Sequence, residues 1–249
     1  RAAPGVSALI VLLLAAGLAL NSTVFALVHA LMLRPLPVRD PGSLYLPVQD
    51  VPRLGANSEQ PYAVVEALQQ TARSFREVAA YAEYDTACRT PVGPIRVRAH
   101  IVTGGFFETL GTRPLLGRVL DRRDAAPGAG PTPVVLSYPF WRRSFDSDPS
   151  VVGRPLTINQ HVFTIAGVLR EHDNGILVET VPDLFFPLPA AAALAVDAEL
   201  ADYRKLDFIP FVRLKPGVAV EAARAEVAAV QNAVLTEEAR KTGEGAYWR

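Results

Sequence analysis

VSALIVLLLAAGLALNSTVFALVHALML, residues 6–33, contains no Asp, Glu, Lys or Arg. Arg1 lies ahead of it and Arg34 just behind it. At ~1.5 Å rise per residue a helix of this length more than crosses a ~30 Å hydrocarbon core, which takes about 20 residues. Beyond Leu33 the composition is that of an ordinary water-soluble domain. The chain therefore reads as a transmembrane helix, residues 1–34, followed by a domain, residues 35–249.

The rival reading of the apolar run is a cleavable secretory signal, with Val28 and Ala30 small enough for a cleavage site. A signal core is usually ~7–15 residues, and this run is roughly twice that, which favours a retained helix. Asn21, Ser22, Thr23 and His29 interrupt it. Their polar groups can bond to backbone or to neighbouring helices. Asn21-Ser22-Thr23 matches a glycosylation sequon, but a helix in lipid is no acceptor. Arg1 and Arg34 balance, so they set no orientation. At the far end Arg34 can snorkel to the headgroups and Pro35 cannot continue the helix. Arg34, Pro35, Leu36 and Pro37 form the expected joint between membrane and domain, because two prolines restrict its backbone.

The formal net charge is +0, so no electrostatic footprint favours nucleic acid. The single cysteine, Cys88, excludes an intramolecular disulfide framework. None of the three lysines, Lys205, Lys215 and Lys241, follows a glycine, so the stretch holds no Walker A loop. There is no G-x-S-x-G, H-E-x-x-H or C-x-x-C. His29, His100, His161 and His172 lack the close spacing of zinc ligands, and His172-Asp173 reads as an exposed loop. Asp121/Asp124 with Arg122-Arg123 between them, and Glu237/Glu238 with Arg240 and Lys241, read as solvated charge with local pairing. Phe140-Trp141-Arg142-Arg143 reads as a helix that buries its aromatics and exposes its arginines. The sequence therefore predicts no catalytic, metal or cofactor site.

Local patterns place the elements. Leu44–Val48 reads as a first strand. Pro61 opens a helix carrying Tyr62, Val65, Leu68 and Ala72 at helical spacing. Phe75–Tyr84 is mixed and becomes strand from Val78. Residues 95–102 alternate apolar and polar as a half-buried strand does. Phe106–Leu110 makes a helical turn between Gly105 and Gly111, and Asp121–Asp124 a charged turn. Ala125–Pro133 is a flexible Gly/Pro loop. Val134–Leu136 is a buried strand and Tyr138–Phe145 a helix with Phe140, Trp141 and Phe145 inward. Leu156–Asn159 and Val162–Val168 form a hairpin turning at Asn159-Gln160-His161. Leu184–Phe186 is a strand and Ala190–Leu200 an Ala-rich helix. Phe208–Leu214 is a strand that Pro210 assigns to an edge. Val220, Ala223, Val227, Val230 and Val234 stripe a long helix to about Lys241. Short strands alternating with helices give an α+β domain with a mixed sheet in two lobes.

The order of segments resembles a known family. Asn21-Ser22-Thr23-Val24-Phe25 runs into Leu33-Arg34-Pro35-Leu36-Pro37, followed by residues 102–111 (VTGGFFETLG) and Pro114-Leu115-Leu116-Gly117-Arg118. Val134–Tyr138, Phe140-Trp141, Val152-Gly153-Arg154, Leu156–Asn159, Phe163–Val168 and residues 182–188 (PDLFFPL) complete the set. This is similar to the permeases of MacB-type ABC transporters, in particular the duplicated permeases of acidobacteria. Two places depart from the family pattern, Gly17–Asn21 and Gln60-Pro61-Tyr62.

The resemblance implies a two-lobed mixed α/β extracytoplasmic domain behind the first transmembrane helix of a permease half, in a bacterial inner membrane. It implies a non-catalytic role: relaying conformational change from a separate cytoplasmic ATPase to export or extraction of substrate. It implies a second permease half or a homodimer partner, contact with the lipid membrane, and room for an extracytoplasmic adaptor. It also predicts that the polypeptide continues beyond Arg249 into further apolar helices. The alternative is a membrane-anchored or secreted ligand-binding module, with Tyr81, Tyr84 and Trp141 lining its pocket.

Overall fold

The computed structural model describes residues 4–28, 38–51, 55–126, 131–173, 181–194 and 207–242. It divides into two units, Arg1–Leu36 and Pro37–Arg249. The first is helix α1 (Pro4–Val28), of which Ala8–Ala26 is long and apolar enough to cross a membrane. Leu9, Leu13, Leu18, Leu20 and Phe25 are exposed all round it, a surface that suits lipid and not water. Thr23 donates its hydroxyl hydrogen to Ala19 O at 2.8 Å, which satisfies that polar group within the helix.

The second unit is built on a ten-stranded sheet. Its strands are β1 (Leu44–Tyr45), β4 (Gln60–Pro61), β5 (Phe75–Thr90), β6 (Gly93–Val102), β7 (Pro114–Gly117), β8 (Pro133–Leu136), β9 (Pro155–Ile158), β10 (His161–Leu169), β11 (Leu184–Pro187) and β12 (Asp207–Leu214). A separate hairpin joins β2 (Gln49–Val51) and β3 (Gly55–Asn57). The helices are α2 (Tyr62–Thr71), α3 (Phe106–Leu110), α4 (Tyr138–Phe145), α5 (Ala191–Leu194) and α6 (Val220–Thr242).

The order β1-β12-β5-β6-β11-β8-β10-β7 is mixed: β6/β11 and β8/β10 are parallel and the other neighbours antiparallel. Strand β9 pairs with both β10 and β5, so β5, β6, β11, β8, β10 and β9 close into a ring. Closure pairs these six strands on both sides and leaves only the short strands β1, β4 and β7 of this sheet with one neighbour each among the described residues. Inside the ring lie Tyr84, Cys88, Val97, Ile101, Leu136 and Phe163 with their neighbours. Outside it, Tyr81, Val135 and Phe185 pack under Phe106 and Phe107 of α3. Leu184-Phe185-Phe186 and Val134-Val135-Leu136 are unbroken apolar runs because both of their faces are covered. Helices α2 and α6 cover β12 through Val64, Leu68, Val212, Ala223 and Val227.

Most elements fall where the sequence puts them, and the differences have causes. Strand β5 starts at Phe75 and runs on through Thr90, because residues 83–90 alternate outward and inward against β6. Strand β1 stops at Tyr45, and residues 46–48 leave the sheet at Pro47. Phe145 is only half-buried, whereas Phe140 and Trp141 are enclosed. Of the Ala-rich helix, Ala191–Leu194 is described and residues 195–200 lie outside the described residues.

Strand β12 is not an edge: it lies between β5 on one side and β1 and β4 on the other. Pro210 sits opposite Ala80, whose N–H bonds to Thr103 Oγ1 and whose carbonyl accepts from the Thr103 N–H. Ala80 thus offers no ladder bond toward β12. The missing proline N–H falls in the gap between the β4 and β1 pairings, so the proline costs no bond.

The β9–β10 hairpin turns through Asn159 and Gln160 at φ 46° and 67°. Two left-handed residues make the primed turn that matches strand twist, and its second position favours glycine. Gln160→Gly is expected to raise stability by about 0.5–1 kcal/mol, read as a shift in the urea midpoint with an unchanged slope.

Candidate functional site

The expected joint, Arg34, Pro35, Leu36 and Pro37, lies outside the described residues. The chain is described again from Val38, and there it is fastened to the domain at once. The Arg39 N–H donates to Leu110 O at 2.8 Å, and its guanidinium Nη2 donates to both Glu77 oxygens at 3.0 and 3.2 Å. Asp40 follows at φ 44° and starts the one-turn helix Pro41–Ser43, which leads into β1. Arg39 is seated on the end of α3: a Cβ on Gly111 (φ +75°) would stand 2.5 Å from Arg39 Cβ. Only glycine meets both demands there, the left-handed backbone and the close approach.

Arg213, the next-to-last residue of β12, holds this turn in place. It is 3 % exposed. Nη1 donates to Asp40 O at 2.8 Å and to Ser43 Oγ at 2.5 Å. Nη2 donates to Arg39 O at 2.5 Å and to Thr109 O at 2.7 Å. Nε faces Glu77 Oε2 at 3.5 Å. One planar guanidinium thus joins the segment behind α1, the last turn of α3 and the central strands β12 and β5. Burial lowers its pKa, as does the Arg39 charge, while Glu77 and Asp40 oppose the shift. Guanidinium stays protonated nonetheless, and its five-donor fork suits three converging carbonyls better than an ammonium would.

A second tie binds α6 to the same part of the sheet. Glu226 accepts the backbone N–H groups of Arg73 and Ser74 at 2.6 and 2.9 Å, at the turn between α2 and β5. Lys215 Nζ donates to Arg73 O at 2.7 Å. Burial works against the Glu226 carboxylate, but the Ser74 side chain, these N–H donors and Lys215 outweigh it and lower its pKa.

The remaining sequence candidates are dispersed. Arg123 and Arg118 pair with Asp121 and Asp124 at 2.7 and 2.6 Å, and Arg240 pairs with Glu237 at 2.8 Å. Cys88 is buried inside the ring, where burial first and Asp183 second push its pKa up to about 11 against the opposing Arg143. No three His, Cys, Asp or Glu among the described residues come together as a metal site. Tyr81, Tyr84 and Trp141 do not form a common pocket. Tyr81 packs outside the ring, Tyr84 donates to Leu194 O at 2.8 Å, and the Trp141 indole donates to Asp148 O at 2.9 Å.

The model of the MacB-like periplasmic core domain matches residues 7–230, from within α1 to within α6. The chain belongs to this family. It is a transporter permease-type domain, here behind one helix long enough to cross a membrane. Solved structures share the fold. The periplasmic region of MacB from Actinobacillus actinomycetemcomitans aligns at TM-score 0.52 and 12% identity, covering 82% of this chain and 84% of that one. A domain of a putative permease protein from Porphyromonas gingivalis aligns at 0.52 and 18%, covering 76% and 77%. The extracellular domain of the noncanonic ABC-type transporter YknZ from Gram-positive bacteria aligns at 0.52 and 12%, covering 82% and 95%. No curated protein matches the sequence.

The clamp of this MacB-like domain was missed by sequence reasoning, which looked for catalytic patterns. Its trace was there. In β12, Ile209, Phe211 and Arg213 share one face, and an arginine in register with two inward apolar residues marks a buried charge.

Proposed function

We propose that the chain is part of an ABC transporter permease, with α1 as its first membrane helix in a bacterial inner membrane and the domain on the periplasmic side. A separate cytoplasmic ATPase drives it, and a second permease half or a second copy completes it. The domain relays motion to export or extraction of substrate, with an adaptor as a further partner.

The observation that carries this reading is the Arg213 clamp. A relay needs the chain leaving the membrane to pull on something stiff. Arg39, Asp40 and Ser43 are fixed to β12 and β5 within a few residues of the Arg34–Pro37 joint. Helix α6 is tied by Glu226 beside the start of β5. Both attachments meet on the same pair of strands.

The test is Arg39→Ala in membranes that also carry the ATPase. The Arg39 side chain is half-exposed, so its loss costs at most about 1 kcal/mol of stability. Substrate moved per ATP hydrolysed is expected to fall severalfold while circular dichroism and the unfolding midpoint stay close to the parent, and Arg39→Lys is expected to restore part of it. An unchanged transport-to-hydrolysis ratio in Arg39→Ala overturns the reading.

A further inference from the structure

Beside the clamp, and independent of the relay, the domain holds an apolar groove of about 430 Å³ between residues 45–48 and α6. Its volume falls within the ~300–1,000 Å³ of small-ligand sites. Val220, Ala223 and Val227 give one wall, at the spacing of a single helical face. Phe75 and Val212 give the floor. The other wall is Leu46 and Val48, which are 36 % and 57 % exposed although both are large and apolar. Apolar side chains held open beside a cavity mark a binding surface more than a packing defect.

Two features narrow the occupant. From Val220 to Gln231 the groove follows α6 for roughly 16 Å, at ~1.5 Å per residue. That length and narrowness suit one medium alkyl chain. At its rim stands Arg224, exposed, with no ion pair or hydrogen bond from its guanidinium among the described residues. Glu221, one turn earlier, leaves it unpaired. The larger cleft of about 650 Å³ at the other end of the sheet differs: its Arg118 and Arg123 are already neutralised by Asp124 and Asp121. An apolar slot with one available cation at its mouth complements an apolar tail with one anionic head. We propose that this groove binds a free single-chain anionic amphiphile, an alkyl carboxylate about as long as dodecanoate.

The test uses the full chain in nanodiscs of zwitterionic lipid and a dodecanoate carrying a diazirine near its tail. Photolabelling is expected in peptides holding residues 45–48 and 220–231, and unlabelled dodecanoate is expected to compete it away. Arg224→Gln is expected to weaken labelling by the carboxylate about tenfold, the worth of one charge-assisted hydrogen bond, and to leave labelling by the matching diazirine alcohol unchanged. Ala228→Trp, at an exposed position on the rim, is expected to block both probes while preserving the circular dichroism spectrum. Label spread evenly over the domain, or carboxylate labelling equal in Arg224→Gln and parent, overturns the proposal. So does labelling of the groove by a diazirine phospholipid of the disc that dodecanoate fails to displace, which would assign it to the bilayer surface.

Discussion

Arg213→Met is expected to destabilise the domain by about 3–5 kcal/mol, because removing one partner of a buried charged network strands the others. Methionine fills a similar volume but donates nothing. Arg39 O, Asp40 O and Thr109 O lose their donor, and Glu77 keeps a carboxylate that is mostly enclosed. For a domain of this size the melting temperature should drop by roughly 10 °C. Adding Glu77→Gln to Arg213→Met is expected to recover part of the loss by removing the stranded charge, at the expense of the Arg39 pair. Arg240→Ala serves as the comparison: its pair with Glu237 lies on an exposed helix surface, and its loss should leave the melting temperature close to the parent's. A melt of Arg213→Met within 2 °C of the parent would mean that the clamp is ornamental, and the attachment of residues 39–43 would need another explanation.

The same clamp shows what a sequence gives up and what it keeps. Elements whose reason is local were legible. Helix α4 is announced by the inward spacing of Phe140 and Trp141 with arginines facing out, and the β9–β10 hairpin by its turn at Asn159-Gln160-His161. Strand β6 is announced by residues 95–102. The apolar helix was legible from composition alone, and the order of weak motifs led to the MacB-like family, whose model matches residues 7–230. Features that depend on which strands meet were not. Ring closure rests on Cys88 and Arg89 of β5 meeting Ile158 and Thr157 of β9, residues far apart in the chain with nothing distinctive about either pair. Pro210 pointed to an edge because the rule that bars proline from a central strand assumes a neighbour waiting for its N–H, and here there is a gap. Most bonds of Arg213 go to main-chain carbonyls, which every residue carries, and its side-chain partners Ser43 and Glu77 lie far off in the chain, so nothing local advertises the site. Only its register beside Phe211 betrays it.

His100 carries the second large effect, on pH. It is 3 % exposed on β6, stacked on Tyr81 at 4.5 Å and met edge-on by Phe185 at 5.7 Å. Neither ring nitrogen has a hydrogen-bond partner. The charged groups near it are the Glu83 carboxylate on β5, 3.9 Å from Nε2, and Arg98 on its own strand. Burial, then the Arg98 charge, pushes its pKa down to about 3. In the unfolded chain an imidazole titrates near 6.5. Between those two values the unfolded chain binds the extra proton and the folded one does not, so stability rises with pH across that window and levels off above it. On lowering the pH from 7 to 5 the domain is expected to lose about 2 kcal/mol through His100 alone, at ~1.4 kcal/mol per unit below 6.5. Carboxylates such as Asp121, already lowered to about 2 by hydrogen bonds from Arg123, lose their contribution only at lower pH. His100→Phe keeps the aromatic packing and removes the titration together with two unbonded nitrogens. Urea unfolding of this variant is expected to be flat between pH 7 and 5 and to equal or exceed the parent at pH 7 by up to ~1 kcal/mol. If parent and variant lose stability in parallel over that range, His100 is already hydrated in the folded domain, and its burial beneath Phe185 is not what governs the acid response.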